Sequence, residues 1–559
     1  MVRRTPAVRA SATLCLAVVA LAAASPSCLR EREPREPRTP RDVELLGYLK
    51  DTVGTVARFA GREAVAVQGF GFVTGLDGTG TKVVPPGVRQ RILDMMRRNK
   101  VGHAEEILAS PDTAVVTVNG WLTPGLGKGE RFDLAVQAIP RTDTTSLEGG
   151  FLLECDLTRV QLARGVQLRS EPLALGRGSI FVSPFGSAGR PKGAGDPRLG
   201  RVLAGGKALK ARQFRLALLT PSVRTADQIV RLVNARFPGA ASGTEDPGRI
   251  DLAVPRRFRE DKTRFLDLVG AIYMRETPGA RDGRVALLLE TLETGEDMDR
   301  VALCLEAFGP TVAPHLYGLS THSSDAVRFY VGRTLACLQD ARAVHVLERI
   351  AKDDTSGYQE QAVVALGQLR SGIGLGVLGR ALKATSARVR VAAWQQMQRL
   401  APPTFVARRF VDKFTLSIVA TRGEPFVYVA RTLKPQIVIF GDVAIRPPIL
   451  AETRRVTATA LEAEDTLKLI SRRHSRDVRV EAALNVRDLI EKLASPFGVT
   501  DTQPKVQGLD LGYSDAVGLL HEMSRKGALT GPIVLQPLEY RIPGDRPTAR
   551  PISTTGEKP

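Results

Sequence analysis

Short segments of alternating apolar and polar residues dominate residues 51–284 and predict half-buried strands. The clearest are residues 64–67, 113–118 and 132–136, each bounded by Gly, Pro or Asp. Helical spacing interrupts them at residues 88–99 and again at 225–237, where Thr225 is the candidate N-cap. Strands interrupted by single helices predict an α+β class built of several small mixed domains.

Hydrophobic periodicity disappears between residues 186 and 206, where Gly and Pro dominate and predict a long loop. A basic cluster lies on and just after this segment, and Asp196 is the only acidic residue between positions 190 and 215. The cluster is interpreted either as a solvated loop or as a contact patch for an acidic surface. Its members are Arg190, Lys192, Arg198, Arg201, Lys207, Lys210, Arg212 and Arg215.

Residues 285–411 have helical periodicity and an internal repeat with a step of 31 residues. Apolar positions recur at equivalent places in three segments, which are residues 327–338, 358–369 and 389–400. A second helix repeats around Val344 and Leu375. Paired helices with this period predict an all-α solenoid similar to HEAT repeats, inserted between the α+β regions.

Residues 412–543 return to the α+β pattern, and the tail 544–559 is rich in Pro and Thr and is predicted to be disordered. A buried strand at 436–440 ends at Gly441 and Asp442. The remaining predicted elements are a strand at 443–445, helices at 486–493 and 514–526, and a strand at 533–535.

The N-terminus has the pattern of a secretory signal, because Arg3, Arg4 and Arg9 precede a short apolar run at residues 14–24. We therefore assign residues 1–27 as a signal peptide and residues 28–50 as a charged, Pro-rich tether. Cleavage near Ala24 and lipidation of Cys28 are both open at this point. Either outcome predicts an exported protein, in the second case one anchored to a membrane.

The composition suggests an acidic binding partner and excludes several classes of protein. The chain of 559 residues carries 79 Lys+Arg against 59 Asp+Glu, a net charge of +20, which asks for an acidic partner or surface. Five cysteines exclude a disulfide scaffold, and no Cys or His spacing fits a zinc site. Cys304 and Cys337 lie on predicted helices, as core thiols or as a bridged pair.

The densest glycine run, residues 68–80, does not fit a nucleotide site. Its spacing is neither a dinucleotide fingerprint nor a phosphate loop, and no nucleophile-elbow or zinc-protease motif occurs in the chain. Asp77 and Asp442 stand beside glycines and are interpreted as turn residues. We predict no catalytic residue, no cofactor and no metal ligand, and hence a protein that is not an enzyme.

The same run, residues 67–80, resembles the signature near the mature N-terminus of the bacterial flagellar P-ring protein family. Segments 114–118, 128–136, 146–153 and 437–445 also resemble this family in the same order. The motif residues in this chain are Gly69, Gly71, Gly75, Asp77, Gly78, Gly80, Gly149, Gly150, Gly441 and Asp442. The helical segment is an insertion relative to the family, and Thr81 stands where the family has an aspartate.

This resemblance implies a structural subunit of the basal body in the periplasm. Family members self-associate into a ring that acts as a bushing around the flagellar rod, beside peptidoglycan and below the L-ring protein. The basic cluster would then face the cell wall or an acidic rod surface, and nucleic acid is not an expected partner. Two alternatives remain: an exported or lipid-anchored HEAT-repeat adaptor with a P-ring-like scaffold, and an exported hydrolase or carbohydrate-acting enzyme.

Overall fold

The computed structural model describes residues 47–538, except for the positions given at the end of this paragraph. The described residues from Asp51 onward belong to one compact unit, and the features below are within it. The predicted signal peptide, Cys28, Arg190, Lys192 and the tail 544–559 lie outside the described residues, as does the tether up to residue 46. The gaps are residues 85, 99, 101, 164–165, 170, 186–195, 276, 370–371, 402–404, 474–475 and 497–507.

The first region is an α+β structure that contains a closed β-barrel. Its elements in chain order are α1 (Val53–Val56), β1 (Ala57–Ala60), β2 (Val65–Thr74), α2 (Pro86–Arg98), α3 (Ala104–Leu108), β3 (Ala114–Leu122), β4 (Arg131–Ala138), β5 (Phe151–Leu157), β6 (Val160–Ala163), β7 (Val166–Arg169), β8 (Ala174–Ser179), β9 (Leu199–Ala208), β10 (Phe214–Leu218), α4 (Val223–Arg236), β11 (Ala241–Gly243), β12 (Arg249–Leu252) and α5 (Lys262–Ala271). The barrel order is β2-β3-β4-β9-β8-β5, and every neighbouring pair is antiparallel. A separate antiparallel sheet has the order β1-β10-β12-β11, and β6 and β7 form a hairpin.

The barrel interior is packed so closely that it requires a small residue on β2. Phe72, Val116 and Leu134 are fully buried in its core. A Cβ atom at Gly71 would lie 2.5 Å from Leu152 Cδ1 and 2.8 Å from a methyl group of Val118. Such distances are shorter than carbon atoms tolerate, so this position admits only glycine without a shift of the barrel wall.

The prediction of a loop over residues 186–206 is wrong for its second half. Strand β9 begins at Leu199 and lies between β4 and β8 in the barrel. The glycines that suggested a loop are instead places of close packing. At Gly206 a Cβ atom would lie 2.6 Å from the ring of Phe132 on the neighbouring strand β4. Glycine in a strand often marks such an approach rather than a turn.

The N-cap of α4 is Ser222 and not Thr225. The Ser222 hydroxyl accepts the backbone N–H of Thr225 at 3.3 Å, which satisfies a free donor of the first helical turn. Ile229 and Val233 then form the buried face of α4.

Residues 278–400 form a series of helices. They are α6 (Pro278–Thr294), α7 (Met298–Phe308), α8 (Ala313–Gly318), α9 (Asp325–Cys337), α10 (Ala343–Lys352), α11 (Gln359–Leu366), α12 (Ile373–Ala381) and α13 (Ala387–Leu400). The three segments of the 31-residue step fall on α9, α11 and α13. Helices α9 and α10 pack together, as do α10 and α11 and also α11 and α13. The series therefore starts seven residues before the predicted boundary at 285.

The possible bridge between Cys304 and Cys337 is not formed, since both are free thiols. They belong to different helices, α7 and α9, and Cys337 Sγ lies 3.5 Å from an Arg264 guanidinium nitrogen. Burial raises the pKa of each thiol to about 11, so both stay protonated. They are core thiols.

The last region combines two sheets and two helices. Its elements are β13 (Val406–Phe410), β14 (Phe414–Val419), β15 (Phe426–Val429), β16 (Gln436–Phe440), β17 (Ile449–Glu452), β18 (Val456–Ala460), β19 (Thr466–Arg473), β20 (Arg476–Ala483), α14 (Val486–Ala494), α15 (Tyr513–Arg525) and β21 (Ile533–Leu535). A mixed sheet has the order β13-β14-β16-β15-β21, and β17 to β20 form an antiparallel meander. The predicted boundary at 411 is therefore wrong, because β13 pairs with β14.

The predicted strand at 443–445 is also wrong. Ala444 and Ile445 make isolated bridges to Asn485 and Leu529 rather than joining a sheet. The run reads as a strand because Val443 and Ile445 are apolar, and both are buried against the core of the last region. The predicted α+β class is confirmed by the three regions together.

Candidate functional site

The glycine motif forms the end of β2 and the turn that follows it. Gly69 and Gly71 lie on β2, whereas Gly75, Asp77 and Gly78 adopt left-handed φ angles of 78°, 47° and 80° in the turn. The segment before β3 binds this turn through two hydrogen bonds. Gly78 N–H donates to Asp112 Oδ1 at 2.6 Å, and Gly80 N–H donates to the carbonyl of Pro111 at 2.8 Å.

Two arginines of the last region bind this turn. Arg454 and Arg455 occupy the turn between β17 and β18. Arg454 donates to the carbonyls of Leu76 at 3.0 Å and Asp77 at 2.5 Å, and to Thr79 Oγ1 at 2.9 Å. The Leu76 carbonyl also accepts the N–H of Thr79 within the turn, so Arg454 adds a second region's donor to a turn that is already closed by its own hydrogen bond.

Arg455 adds an ion pair to this contact. Its Nη2 and Nε atoms lie 2.7 Å and 3.1 Å from Asp77 Oδ2, and Nη2 also donates to the carbonyl of Gly75 at 3.1 Å. The Arg455 side chain is only 14% exposed. The Asp77 side chain is 47% exposed, so water partly screens these charge-assisted contacts. We call Arg454, Arg455 and the turn 75–79 the arginine clamp.

Gly149 provides the room for the clamp. Its φ angle is 73°, and a Cβ atom there would lie 2.1 Å from Arg455 Cζ. Gly150 instead packs against the barrel, where a Cβ atom would lie 2.6 Å from a methyl group of Val73. The Gly-Gly pair of the sequence motif thus serves two different contacts.

Further carboxylates lie around the clamp. Asp515 at the start of α15 is buried, and its Oδ2 atom lies 3.8 Å from Arg455 Nη1 and accepts the N–H of Gly512 at 3.0 Å. Burial raises the pKa of Glu148, and the charge of Asp515 raises it further, whereas Arg455 and Arg454 oppose this shift. The clamp is therefore a coupled charge cluster between the barrel and the last region.

A second contact joins the same two regions. Both carboxylate oxygens of Asp133 on β4 accept the N–H of Leu433, at 2.9 Å and 3.0 Å, and Oδ1 also accepts the N–H of Ala204 at 2.7 Å. Burial raises the pKa of Asp133 despite these donors and the guanidinium of Arg201 at 3.9 Å. Arg201 is thus a member of the predicted basic cluster that points to an internal partner.

The structure disperses the rest of that basic cluster. Arg198 donates to the carbonyl of Ile139 at 2.9 Å, and Arg212 donates to the carbonyls of Leu122 at 2.6 Å and Glu63 at 2.5 Å. Lys207 is exposed on β9. Two others form exposed ion pairs, Lys210 with Glu171 at 2.7 Å and Arg215 with Asp251 at 2.8 Å. The described members therefore do not form one solvated loop.

The remaining motif residues lie in a different turn. Gly441, with a φ angle of 74°, follows β16 and donates its N–H to the carbonyl of Val419 at 2.9 Å, and Asp442 beside it is exposed. Sequence reasoning singled out Asp77 and Gly149 but missed Arg454, Arg455 and Asp515. An adjacent arginine pair in a turn normally indicates a solvated surface, and only its spatial partners show otherwise.

The described residues contain no group of three or more His, Cys, Asp or Glu side chains arranged to hold a metal ion. Within the same part of the chain, no helix is both long and apolar enough to cross a bilayer.

Turn glycines, backbone carbonyls and arginines thus join two regions of an α+β protein. Residues 52–282 match the family described as Flagellar P-ring protein. The resemblance to this family that the glycine run carries is thereby confirmed.

Individual relatives agree with this assignment. Flagellar P-ring proteins of Caulobacter vibrioides, Anaeromyxobacter dehalogenans and Thermotoga maritima are 30%, 27% and 29% identical over 204, 238 and 247 residues. These matches cover 34%, 41% and 40% of this chain and 52%, 62% and 67% of the respective relatives. The chain thus spans about half to two thirds of the length of these curated relatives.

Proposed function

We propose that this chain is a structural subunit of the flagellar basal-body P-ring and assembles into a ring around the rod near peptidoglycan. One observation carries the proposal: the residues that match the P-ring family, 52–282, contain the barrel and the glycine turn that the arginine clamp holds. The proposed location is the periplasm, reached through the signal peptide 1–27, with Cys28 as a possible lipid anchor.

A bushing needs subunits that keep their shape while they contact one another. A closed ring is built from heterologous contacts, in which one surface of each subunit meets a different surface of the next. Small errors in subunit shape accumulate around such a ring. The arginine clamp and the contact between Asp133 and Leu433 favour this role because they fix the last region against the barrel.

The proposed partners follow from the same role. They are further copies of this chain, the rod proteins, the L-ring protein and peptidoglycan. The relatives are named as ring proteins and not as enzymes, which supports the prediction of no catalytic activity. The exposed members of the basic cluster are the candidates for contact with an acidic wall or rod surface, namely Lys207 on β9 and the ion-paired Lys210 and Arg215.

The alternative of a protein-binding adaptor is less well supported, because the helical series contacts the chain's own first region. Arg264 on α5 forms a buried ion pair with Glu306 on α7, and Arg236 donates to the Glu306 carbonyl at 3.2 Å. Arg399 on α13 lies 3.6 Å from Glu260. Helices that contact the first region near both ends of the series fit a structural support better than a free binding surface.

Deletion of the gene tests the proposal. We expect purified hook–basal bodies from the deletion strain to lack a ring at the P-ring position and the cells to lose motility, and the wild-type gene should restore both. Complete rotating flagella in the deletion strain would refute the proposal. A matched variant without residues 285–400 reports on the helices, since normal rings in that strain would make them an accessory.

A further inference from the structure

The outer face of α4 exposes an apolar surface with basic neighbours. Val223 is 63% exposed and Leu219, just before the helix, is 54% exposed. Val223 lines a shallow depression of about 770 Å³ together with Arg224, Asp227, Val230 and Arg231. Exposed apolar side chains gathered in a depression with a charged rim are typical of protein interaction sites. We call this surface the α4 depression.

The outer face of α6 has the opposite charge. Val285, Leu288 and Leu292 form its buried side, whereas Leu287 is 41% exposed on the other. Glu290, one helical turn after Leu287, is exposed, and so is Glu293 further along the helix. Arg284 is engaged elsewhere, since its guanidinium lies over the ring of Tyr273 at 4.7 Å.

We propose that the α4 depression of one copy receives the outer face of α6 of the next copy in a head-to-tail contact. The proposal rests on the proposed function, because a ring needs two different surfaces that meet between neighbours. Leu287 would enter the depression beside Val223 and Leu219, and Arg224 and Arg231 would face Glu290 and Glu293.

Charge complementarity is the reason for choosing a second copy as the occupant. The α4 depression carries Arg224 and Arg231 against Asp227, a net positive charge that attracts the acidic outer face of α6. Two unlike surfaces of this kind are what a head-to-tail contact between neighbours in a ring requires.

The contact would also be particular to this chain. Helix α4 lies within residues 52–282, the part that matches the P-ring family, whereas most of α6 lies beyond it. The helical series would then contribute one half of the subunit contact. Copies of this chain would prefer one another over P-ring subunits that lack such a helix.

A charge-swap experiment on the full-length chain tests the contact. The first variant reverses the depression (Arg224→Glu, Arg231→Glu), the second reverses the helix (Glu290→Arg, Glu293→Arg), and the third combines all four. Sedimentation velocity measures self-association at low and high salt. We expect each double reversal to weaken association by about tenfold or more, because like charges then oppose one another.

The combined variant should associate about as well as the wild type, since its charges are complementary again. An equimolar mixture of the two double variants should associate as well, in alternating order. Reversal of Arg97 and Arg98 on α2, which are 64% and 66% exposed, is the control for net charge and should have a small effect. Equal association of all variants, or no rescue in the combined variant, would overturn the contact.

Cross-linking in cells separates this contact from the proposed function. A Val223→Cys, Leu287→Cys double variant should give a ladder of disulfide-linked multimers, and each single variant should not. A ring in basal bodies without this ladder refutes the contact and leaves the ring function standing. Complete flagella in the deletion strain refute the ring function itself.

Discussion

Three residues far apart in the sequence decide how the barrel meets the last region. Asp77 keeps a left-handed backbone in a turn, Gly149 leaves the space, and Arg455 fills that space with its guanidinium group. The contact between the turn and the last region depends on all three residues together. The turn of the glycine motif therefore binds arginine side chains of the same chain and is not a phosphate-binding loop.

Arg455→Ala should lower the free energy of unfolding by about 3 kcal/mol, because it leaves Asp515 buried without its cation and the turn carbonyl of Gly75 without a donor. Chemical denaturation followed by circular dichroism measures this. Arg525→Ala removes an exposed pair with Glu522 on α15 and is the matched control. Equal stability of the two variants would contradict a structural role of the clamp.

Gly149→Ala should destabilise the protein more than Gly78→Ala. Both glycines have left-handed φ angles, so each alanine carries a backbone cost of about 1–2 kcal/mol. Only at position 149 does the new methyl group meet Arg455, since nothing lies within 4 Å of a Cβ atom at Gly78. Denaturation midpoints give the difference, and similar values for both variants would argue against the contact.

Glu148→Gln should stabilise the protein at neutral pH. The pKa of Glu148 is raised in the folded state by burial and by Asp515, so folding favours the protonated form. The folded state consequently loses stability as the pH rises from the ordinary value of 4.5 through the raised pKa. The difference between variant and wild type should vanish at acidic pH, below the ordinary value, in thermal melts across a pH series.

At the scale of elements, α13 is the main contact between the helices and the last region. Trp394 on α13 packs against Tyr428 and Phe440 of the mixed sheet, with ring centroids 5.9 Å and 6.3 Å apart. Arg390 is buried, donates to the carbonyl of Glu424 at 2.7 Å and lies 4.7 Å from the ring centre of Phe426. The helix therefore completes a core that the sheet alone would expose.

Trp394→Ala should cost about 3–5 kcal/mol, since the indole is 2% exposed and its removal leaves a cavity against the sheet. Arg388→Ala on the exposed side of α13 is the control and should leave stability nearly unchanged. Urea denaturation checks both variants. A small effect of the tryptophan would mean that the sheet folds without the helix.

Element types were predictable where the hydrophobic period was regular. Helices α9, α11 and α13 coincide with the 31-residue step, and β16 coincides with the apolar run at 436–440. Strand β9 was missed because Gly200, Gly205 and Gly206 interrupt its apolar pattern, and the crowding that requires them comes from the barrel. The arginine clamp was missed for a similar reason, because its partners are brought together by the fold alone.

At the scale of the whole molecule, buried polar contacts connect the three regions. Arg264 and Glu306 join the first region to the helices, Arg390 joins the helices to the last region, and the arginine clamp closes the circuit. Regions that are tied at several places tend to unfold together. The division into domains read from the sequence stays a prediction.

Glu306→Gln should uncouple the regions. Glu306 is 3% exposed, so loss of its charge removes the hydrogen-bonded ion-pair partner of Arg264 and leaves only the more distant charges of Asp261 and Asp299. We expect the wild type to melt in one main calorimetric transition and the variant to show a separate, earlier transition about 5–10 °C lower. A wild type with several separate transitions would contradict the coupling, whatever the variant does.

The closed barrel also determines where the molecule would give way under mechanical load. Each barrel strand is hydrogen-bonded along both edges, so a pulling force must break two ladders at once. Strand β20 is the last strand of an open meander and is bonded to β19 alone in that sheet. Under shear the meander would peel first and the barrel would stay intact, which makes the barrel the stiff part of the subunit and the meander its compliant edge.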